Sequence, residues 1–332
     1  MTQLVIIRCD DYIPTQIRSG LHLAFEALKV PAAFTAGEKI LIKPNLLSAV
    51  TPDLAVTPHP AVFRGLVQNL QPLGLKLSVG DSPAVDTPER ALRQSGIAAV
   101  AAEMGVEAAD FVNSVEIDFS EGIMLRHFSL AAGVAAADGV VSLSKLKTHA
   151  LTGMTGAIKN TFGVIPGQRK AKHHVQFPEV SNFSQMLVDI NRYVEPRLFV
   201  MDAIVGMEGN GPRNGKPRFV GLLIAARDPV LLDAFAASII GFEPSSIETI
   251  RLGDANGLGS MDLEQAPAIL YDLRDGQAAA ERERRGSAAD FAAELCLPDF
   301  DTRQGHTSMM GSFVTLWRTA GQAPAAGQTL YC

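Results

Sequence analysis

The chain contains very little cysteine. Its three cysteines, Cys9, Cys296 and Cys332, are too few and too widely spaced for a disulfide framework, a CxxC redox pair or a four-cysteine cluster site. We therefore expect no iron–sulfur cluster within this chain. Unpaired cysteines are also typical of proteins in the reducing cytoplasm.

Long hydrophobic runs are absent as well. The longest stretches without Asp, Glu, Lys or Arg are 14 residues long, at Gln304–Trp317 and Thr319–Cys332. A membrane-spanning helix needs about 20 predominantly apolar residues. The apolar run near the start, LVII, is too short for the central region of a secretory signal peptide. The sequence therefore predicts a soluble cytoplasmic protein with no membrane partner.

Nucleotide-binding loops are missing too. The Gly-rich segment Gly206–Pro217 does not have the G-x-x-x-x-G-K-[ST] spacing, and no G-x-G-x-x-G run occurs in the chain. The sequence thus predicts neither an NAD site nor an ATP site. The segment is either a tight connector or a ligand-contact loop, and in the second case Glu208 and Asn210 would contact the substrate.

What the chain does contain is a regular alternation of short apolar runs and helical patterns. Of its 332 residues, 47% are hydrophobic and 19% charged, which is enough for a large buried core. Strands are predicted at Leu4–Arg8, Lys39–Lys43, Leu75–Val79, Gly139–Leu143, Arg197–Met201 and Phe219–Ala225. Helices are predicted at Pro14–Lys29, His59–Leu73 and Pro229–Ile240.

This alternation predicts an α/β fold with a largely parallel sheet and helices on both faces. Two interleaved lobes are an alternative arrangement of the same elements. Ser114–Leu130 is predicted to be a hairpin instead. We expect residues 1–275 to form the α/β domain and residues 276–332 to form a C-terminal extension with a flexible tail. The charged stretch Asp275–Asp290 is predicted to be a solvated helix or a linker.

The distribution of charge along the chain is uneven. The formal net charge is −6, yet residues 139–178 contain no Asp or Glu and six Lys or Arg residues. We call residues 139–178 the basic segment. It is either a basic surface loop or a binding site for a small anion, and its many Gly, Thr and Ala residues favour the second interpretation. The acidic remainder of the chain and the small number of aromatic residues in the segment argue against nucleic acid as a partner.

Polar residues near the ends of predicted strands are further candidates. Lys43 and Asn45 end one strand, and Asp81 and Asp202 each follow another. Ligands of parallel sheets lie beyond the carboxyl ends of the strands, so we expect Asp81, Asp202 and Asp228 to share one rim. For Asp228 the alternative is the N-cap of the helix that follows.

The chemistry of these residue types predicts their roles. Crowded lysines lower one another's pKa, so that one of them could act as a base near neutral pH. The candidate acid–base residues are Lys159, His149 and Lys145. The candidate substrate-binding residues are Lys43, Asn45, Lys147, Thr155, Asn160, Glu208 and Asn210. The candidate metal ligands are His173, His174, Asp81 and Asp202.

A series of motifs in the chain resembles one known family. The motifs are LIKPNLL (41–47), TPHPAV (57–62), VGDSP (79–83), SKLKTH (144–149), TGAIKNTFG (155–163), MDAIVGMEGNGP (201–212) and DPVLLDAFAASIIG (228–241). Over about residues 38–260 they resemble the family known as domain of unknown function 362. Members of that family often carry an iron–sulfur module, so the resemblance implies an iron–sulfur protein as an alternative partner.

A local stretch is similar to another family. His149–His174 resembles part of the nickel-pincer lactate racemases, in which a Lys holds the pincer cofactor and a His helps to bind nickel. The resemblance matches Lys159 to that Lys, and His173 or His174 to that His. It implies a metal cofactor and proton or hydride chemistry on a small hydroxy acid.

Two functions remain open at this point. The first is an enzyme that acts on a small anionic metabolite, a carboxylate or a phosphate, through a Lys- and His-rich site at the strand ends. Its chemistry would be of the acid–base, racemase or oxidoreductase type. The second is a redox or metallocentre accessory protein that works with an iron–sulfur protein but has no cluster of its own. No motif identifies the cofactor, and a metal ion is one alternative.

Overall fold

The computed structural model describes residues 3–84, 86–167, 169–275 and 283–303. The strands are β1 (Leu4–Arg8), β2 (Lys39–Pro44), β3 (Lys76–Val79), β4 (Glu107–Ala108), β5 (Ser114–Asp118), β6 (His127–Ala131), β7 (Gly139–His149), β8 (Gly153–Thr155), β9 (Leu198–Glu208), β10 (Lys216–Ala226), β11 (Pro267–Asp272) and β12 (Glu283–Ser287). The α-helices are α1 (Pro14–Ala27), α2 (Pro60–Leu70), α3 (Pro88–Gln94), α4 (Ile97–Glu103), α5 (Ala132–Ala135), α6 (Ala157–Asn160), α7 (Arg169–Gln176), α8 (Val180–Val194), α9 (Pro229–Ile239), α10 (Glu248–Ala255) and α11 (Ala288–Leu295).

Ten of the strands form one mixed sheet. Its main order is β12-β11-β1-β10-β9-β7-β2-β3-β4, and β8 pairs with β7. The pairs β9–β7, β7–β2, β2–β3, β3–β4 and β1–β11 are parallel. Strand β10 is antiparallel to both of its neighbours, β1 and β9. The mostly parallel α/β fold is thus confirmed, and β5 and β6 form the predicted antiparallel hairpin.

Helices cover both faces of the sheet. Leu21 of α1 and Phe63 of α2 belong to a buried cluster on one face, while Leu187 of α8 and Phe235 of α9 belong to a cluster on the other. All four side chains are fully buried. Burying a side chain of this size stabilises the fold by about 1.5–3 kcal/mol, so these two layers hold the sheet in place. No helix in the described ranges is both long enough and apolar enough to span a membrane.

Two strands extend well past their predicted ends. Strand β7 was expected to end at Leu143 but continues to His149, and β9 continues past Met201 to Glu208. Lys145 and Lys147 interrupt the apolar pattern of β7, and Asp202 interrupts that of β9, so a pattern of hydrophobicity alone ends too early. In the structure Lys145 and Asp202 are buried and form an ion pair, and Lys147 is buried and bonded to Asn45 Oδ1 and Val56 O.

The predicted rim is wrong for Asp228. Because β10 is antiparallel to β9, the end of β10 pairs with the beginning of β9, so that Ala226 lies opposite Phe199. Asp228 therefore lies where β7 and β9 begin, at the opposite end of these strands from the end of β7. Its side chain accepts hydrogen bonds from the N–H groups of Val230 and Leu231 and caps α9, as the alternative predicted.

The C-terminal extension is described only in part. In residues 283–303, β12 pairs with β11 at the edge of the sheet, and Phe291 of α11 packs into the same core as α9. The described part of Asp275–Asp290 is therefore a strand and a helix start, rather than a solvated helix or linker. The predicted flexible tail lies outside the described residues, and the division at residue 275 stays a prediction.

Candidate functional site

A buried ion pair lies where β2 and β3 end. Lys43, near the end of β2, has its Nζ 2.8 Å from Asp81 Oδ1, and both side chains are almost fully buried. The N–H of Leu46 donates to Asp81 Oδ2 at 2.6 Å. The backbone of Gly163 approaches so closely that a side chain there would overlap Asp81 and Lys43. This pair is therefore held tightly between two segments of the chain.

Two asparagine side chains connect this pair to Lys147. Lys43 Nζ and Asn45 Nδ2 both donate to Asn160 Oδ1, at 3.1 and 3.2 Å. Lys147 Nζ donates to Asn45 Oδ1 at 2.7 Å. Because Leu146 packs on the α8 and α9 side of the sheet, Lys147 points to the other face. The network therefore passes around the strand ends, from one face of the sheet to the other.

Two more lysines stand beside the pair. Lys170 Nζ donates to the backbone oxygens of Ser82 and Pro83. Lys159, in the last turn of α6, is partly buried and forms no hydrogen bond or ion pair with any residue in the described ranges. We use the name lysine cluster for Lys43, Lys147, Lys159 and Lys170.

The lysine cluster contains more amino groups than nearby carboxylates. Among the described residues, only Lys43 of the four forms an ion pair. Burial, and next the charge of Lys159, hold the pKa of Lys147 well below its usual range. Burial and the charges of Lys170 and Lys43 lower the pKa of Lys159 to about 7. Burial lowers the pKa of Lys170 to about 8. A bound anion would favour the charged form of each lysine and so offset this cost.

A second buried pair, Lys145 with Asp202, has a different environment. Lys145 Nζ lies 2.8 Å from Asp202 Oδ2. The Tyr12 hydroxyl donates to Asp202 Oδ1 at 3.0 Å and accepts from Lys145 Nζ at 2.9 Å. The N–H groups of His59 and Ile204 also donate to Asp202, and the His59 ring stacks on Tyr12 with 3.9 Å between centroids. The carboxylate is fully occupied, which favours a structural role for this pair.

His149 is buried at the end of β7. Its Nδ1 accepts hydrogen bonds from the N–H groups of Leu151 and Thr152, at 3.1 and 3.3 Å. Burial and the charge of Lys159 hold the pKa of His149 well below its usual range. His149 is therefore a neutral imidazole at neutral pH, with one nitrogen committed to the backbone. Its role as an acid–base residue stays a prediction.

The predicted metal ligands do not gather into one site. The rings of His173 and His174, on α7, stack on Phe177 and Phe183. The two predicted aspartate ligands pair with lysines instead. In the part of the chain that the structure describes, no three His, Cys, Asp or Glu side chains are grouped so that they could hold a metal ion. These donors therefore do not fit the nickel site that the local resemblance implies.

The remaining predicted contacts lie at the margin of the network. Thr155 faces Lys147 in the β7–β8 pairing, and its buried Oγ1 has no hydrogen-bond partner among the described residues. Glu208 accepts from the N–H of Asp301, and Asn210 is exposed in the connection between β9 and β10. Neither of these two side chains bonds to a lysine that the structure describes.

Sequence reasoning missed four polar residues that the structure places near the lysines. They are Tyr12, His59, Asn191 and Asp233. The sequence itself could have indicated Asp233, because it is the only charged residue within the apolar helix Pro229–Ile239. A lone acid on such a helix indicates a buried carboxylate with partners elsewhere. The other three stand in patterns typical of a loop, a helix cap and an ordinary amphipathic helix.

Comparison with known proteins gives one family and one related sequence. The sequence profile described as "Domain of unknown function (DUF362)" matches residues 40–238. The chain is 32% identical over 255 residues to a thylakoid-associated protein of Synechocystis sp., and this match covers 76% of the chain and 79% of that protein.

Two solved structures are also similar to the chain. One is the lactate racemase apoprotein of Thermoanaerobacterium thermosaccharolyticum, at 12% identity and a TM-score of 0.42, over 69% of this chain and 55% of that one. The other is a structural-genomics protein of Thermotoga maritima, at 12% identity and a TM-score of 0.34, over 87% of this chain and 60% of that one. The chain thus spans little more than half the length of either protein.

Proposed function

The chain belongs to the family described as "Domain of unknown function (DUF362)", and from that premise we propose that it is an enzyme acting on a small anionic metabolite. The metabolite carries a carboxylate or a phosphate, and the lysine cluster binds it. The few unpaired cysteines, Cys9 and Cys296 among those described, support a cytoplasmic location for this activity.

One observation carries the proposal. At the carboxyl ends of β2 and β3, hydrogen bonds connect Lys43 to Lys147 and hold Lys170 on the segment that follows Asp81, while the charges of Lys43 and Lys170 act on Lys159. Among the described residues, only Asp81 forms an ion pair with any of the four lysines. Burying ammonium groups beside one another destabilises a protein unless an anion compensates them. Lysines that are buried side by side in spite of this loss of stability are typical of a binding or catalytic site.

Within this site the lysines have different tasks. Lys43 and Lys147 are fixed by hydrogen bonds to Asn160 and Asn45, so they hold the anion in a defined place. Lys159 has no competing partner among the described residues. With a pKa of about 7, it exchanges a proton near neutral pH and is suited to act as the acid or base.

The proposal is tested by measuring anion binding to the full-length protein. Isothermal titration and thermal shift are recorded with inorganic phosphate, oxalate and acetate. We expect the wild-type protein to bind at least one of these anions. Lys159→Ala is expected to weaken that binding at least about tenfold, because it removes the lysine that has no other partner.

Lys172→Ala is the matched control. Lys172 lies in the basic segment and is exposed, so this variant makes the same change in net charge outside the lysine cluster. Its affinity should stay within about twofold of wild type, as expected for an exposed charge. Wild-type protein that binds none of the three anions, or equal losses in the two variants, would overturn the proposal.

A further inference from the structure

The short helix α6 carries Lys159 and Asn160 but cannot hold its own conformation. It is only four residues long, Ala157–Asn160, and its N-cap residue Gly156 has no side chain to cap it. Isolated helices of fewer than about 12 residues are marginal in water, and the first N–H groups of any helix need partners from elsewhere. The position of Lys159 therefore depends on contacts with other elements.

The N-terminal contact comes from α9. The carboxylate of Asp233 accepts hydrogen bonds from the N–H of Ala157 at 2.6 Å and from the N–H of Ile158 at 3.0 Å. Asp233 is only 3% exposed. A side chain at position 156 would overlap the Asp233 carboxylate, so Gly156 is what permits this close approach. Asp233 thus acts as an N-cap that comes from a different helix.

The C-terminal contact comes from α8. Asn191 Nδ2 donates to Ile158 O at 2.8 Å and to Thr161 Oγ1 at 2.5 Å. Thr161 Oγ1 in turn donates to Ile158 O at 2.6 Å. Asn191 is fully buried, as is Thr161. The helix is therefore held at both ends by buried polar side chains.

We propose that Asp233 and Asn191 are positioning residues for Lys159, which fix the α6 backbone and so hold near Lys43 and Lys170 an amine that has no partner among the described residues. This inference deepens the proposed function and rests on it for its purpose, since Lys159 is the proposed acid or base. Asn160 is fixed by its own hydrogen bonds to Lys43 and Asn45. Lys159 has no such bonds among the described residues and depends on its backbone alone.

The test measures the reactivity of Lys159 itself, so it does not require a known ligand. Full-length wild type and Asp233→Asn are labelled with trace acetic anhydride over a range of pH, and acetylation of Lys159 is followed by peptide mass spectrometry. Only a neutral amine reacts, so the midpoint of the labelling curve reports the protonation of Lys159. The charges that act on Lys159 are those of Lys170, Lys43, Asp81 and Lys147. Burial raises the pKa of Asp233 to about 7, and its charge is not among the causes that shift the pKa of Lys159. A change at Asp233 therefore acts through position.

We expect the midpoint in Asp233→Asn to rise by about one pH unit or more, because a loosened Lys159 becomes hydrated and regains its proton more easily. Asp228→Ala is the control. Asp228 caps the same helix α9, and its partners Val230, Leu231 and Ser260 lie outside α6. This variant should lower the melting temperature and leave the Lys159 midpoint unchanged.

An unchanged midpoint in folded Asp233→Asn, or equal shifts in both variants, would overturn the inference. Should Asp233→Asn not fold, Asn191→Leu replaces it, since it keeps the approximate shape of the side chain and removes the donor to Ile158 O and Thr161 Oγ1 at the other end of α6. An unchanged midpoint in that variant has the same meaning. If wild type binds no anion but the midpoint shifts as expected, the proposed function fails and the positioning role stands.

Discussion

The two buried lysine–aspartate pairs of this protein have the same ion-pair distance but different surroundings. Both pairs, Lys43–Asp81 and Lys145–Asp202, join Nζ to a carboxylate oxygen at 2.8 Å, and both are buried. Asp202 also accepts from the Tyr12 hydroxyl and from two backbone N–H groups, so its bonds are complete. The Lys43–Asp81 pair instead stands among three further lysines.

The difference teaches how to separate a structural ion pair from a functional one in this fold. Distance and burial do not distinguish the two pairs, and a buried pair by itself is weak evidence of either role. The balance of charge around each pair does distinguish them. Within the described chain, the lysines whose pKa is lowered and that have no carboxylate partner lie around Lys43. Three predictions test this contrast.

The largest effect is expected for Asp202→Ala. This variant leaves Lys145 buried without its carboxylate and removes the acceptor of Tyr12, His59 and Ile204. Removing one partner of a buried pair costs about 3–5 kcal/mol. Urea unfolding, followed by circular dichroism, measures this loss of unfolding free energy. A loss below about 1 kcal/mol would show that the Lys145–Asp202 pair has no structural role, since exposed ion pairs contribute stabilities in that range.

A smaller effect is expected for Tyr12→Phe. The hydroxyl bridges Lys145 and Asp202 and accepts from the N–H of Val205. Hydrogen bonds to charged groups contribute about 1.5–3 kcal/mol each, and we expect a loss of unfolding free energy in this range. Affinity for phosphate should not change. Tyr193→Phe is the control, because Tyr193 makes ring contacts with Phe119 and Phe128. A tenfold loss of phosphate affinity in Tyr12→Phe would show that the Lys145–Asp202 pair and the lysine cluster belong to one binding site.

The third prediction concerns pH, and the effect expected from one lysine over one pH unit is the smallest of the three. Lys159 and Lys170 have folded-state pKa values of about 7 and about 8, below the value of 10.5 for a free lysine. Between those limits the unfolded chain binds more protons than the folded chain, so stability without ligand rises as pH rises from 7 to 9. Each such lysine contributes up to about 1.4 kcal/mol per pH unit. Thermal melts at several pH values measure this slope.

The effect of a bound anion should have the opposite sign. An anion prefers the protonated lysines, so the rise in melting temperature caused by phosphate should shrink over the same pH range. Lys159→Met should flatten both slopes, because the titrating group is gone. If the slope of the ligand-free protein is the same in wild type and Lys159→Met, then Lys159 does not titrate in this range.

The sequence supports the prediction of the fold better than that of the site. Strand β1 has the predicted bounds, and β2 and α9 lie within one residue of theirs, because each has an apolar run bounded by turn or capping residues. The site residues Lys43, Asn45, Lys147 and Asn160 were chosen from a segment without acids and from a strand end, and one network joins them. Local patterns were sufficient to select four residues that contact one another, and their role in binding stays a prediction.

The features that the sequence did not predict depend on contacts between residues far apart in the chain, and no local pattern encodes such contacts. Tyr12 meets Lys145 and Asp202 only because β10 runs antiparallel between β1 and β9. Asp233 reaches α6 across 76 positions of sequence. The antiparallel direction of β10 also moved Asp228 away from the predicted rim. Direction and pairing of strands follow from the packing of the whole sheet, and a list of elements does not contain them.

The two asparagines at the strand ends have a consequence of their own. Every donor in their chain points the same way, from Lys147 to Asn45, from Asn45 to Asn160, and from Asn160 to Ser142 Oγ. Lys147 donates to the amide oxygen of Asn45, and Lys43 donates to that of Asn160. Each amide is thus fixed in one of its two orientations. A carboxylate at Asn45 has the same outline but no donor, and it would interrupt this polarity. The two faces of the sheet are therefore joined by a one-way line of hydrogen bonds that only amides can complete.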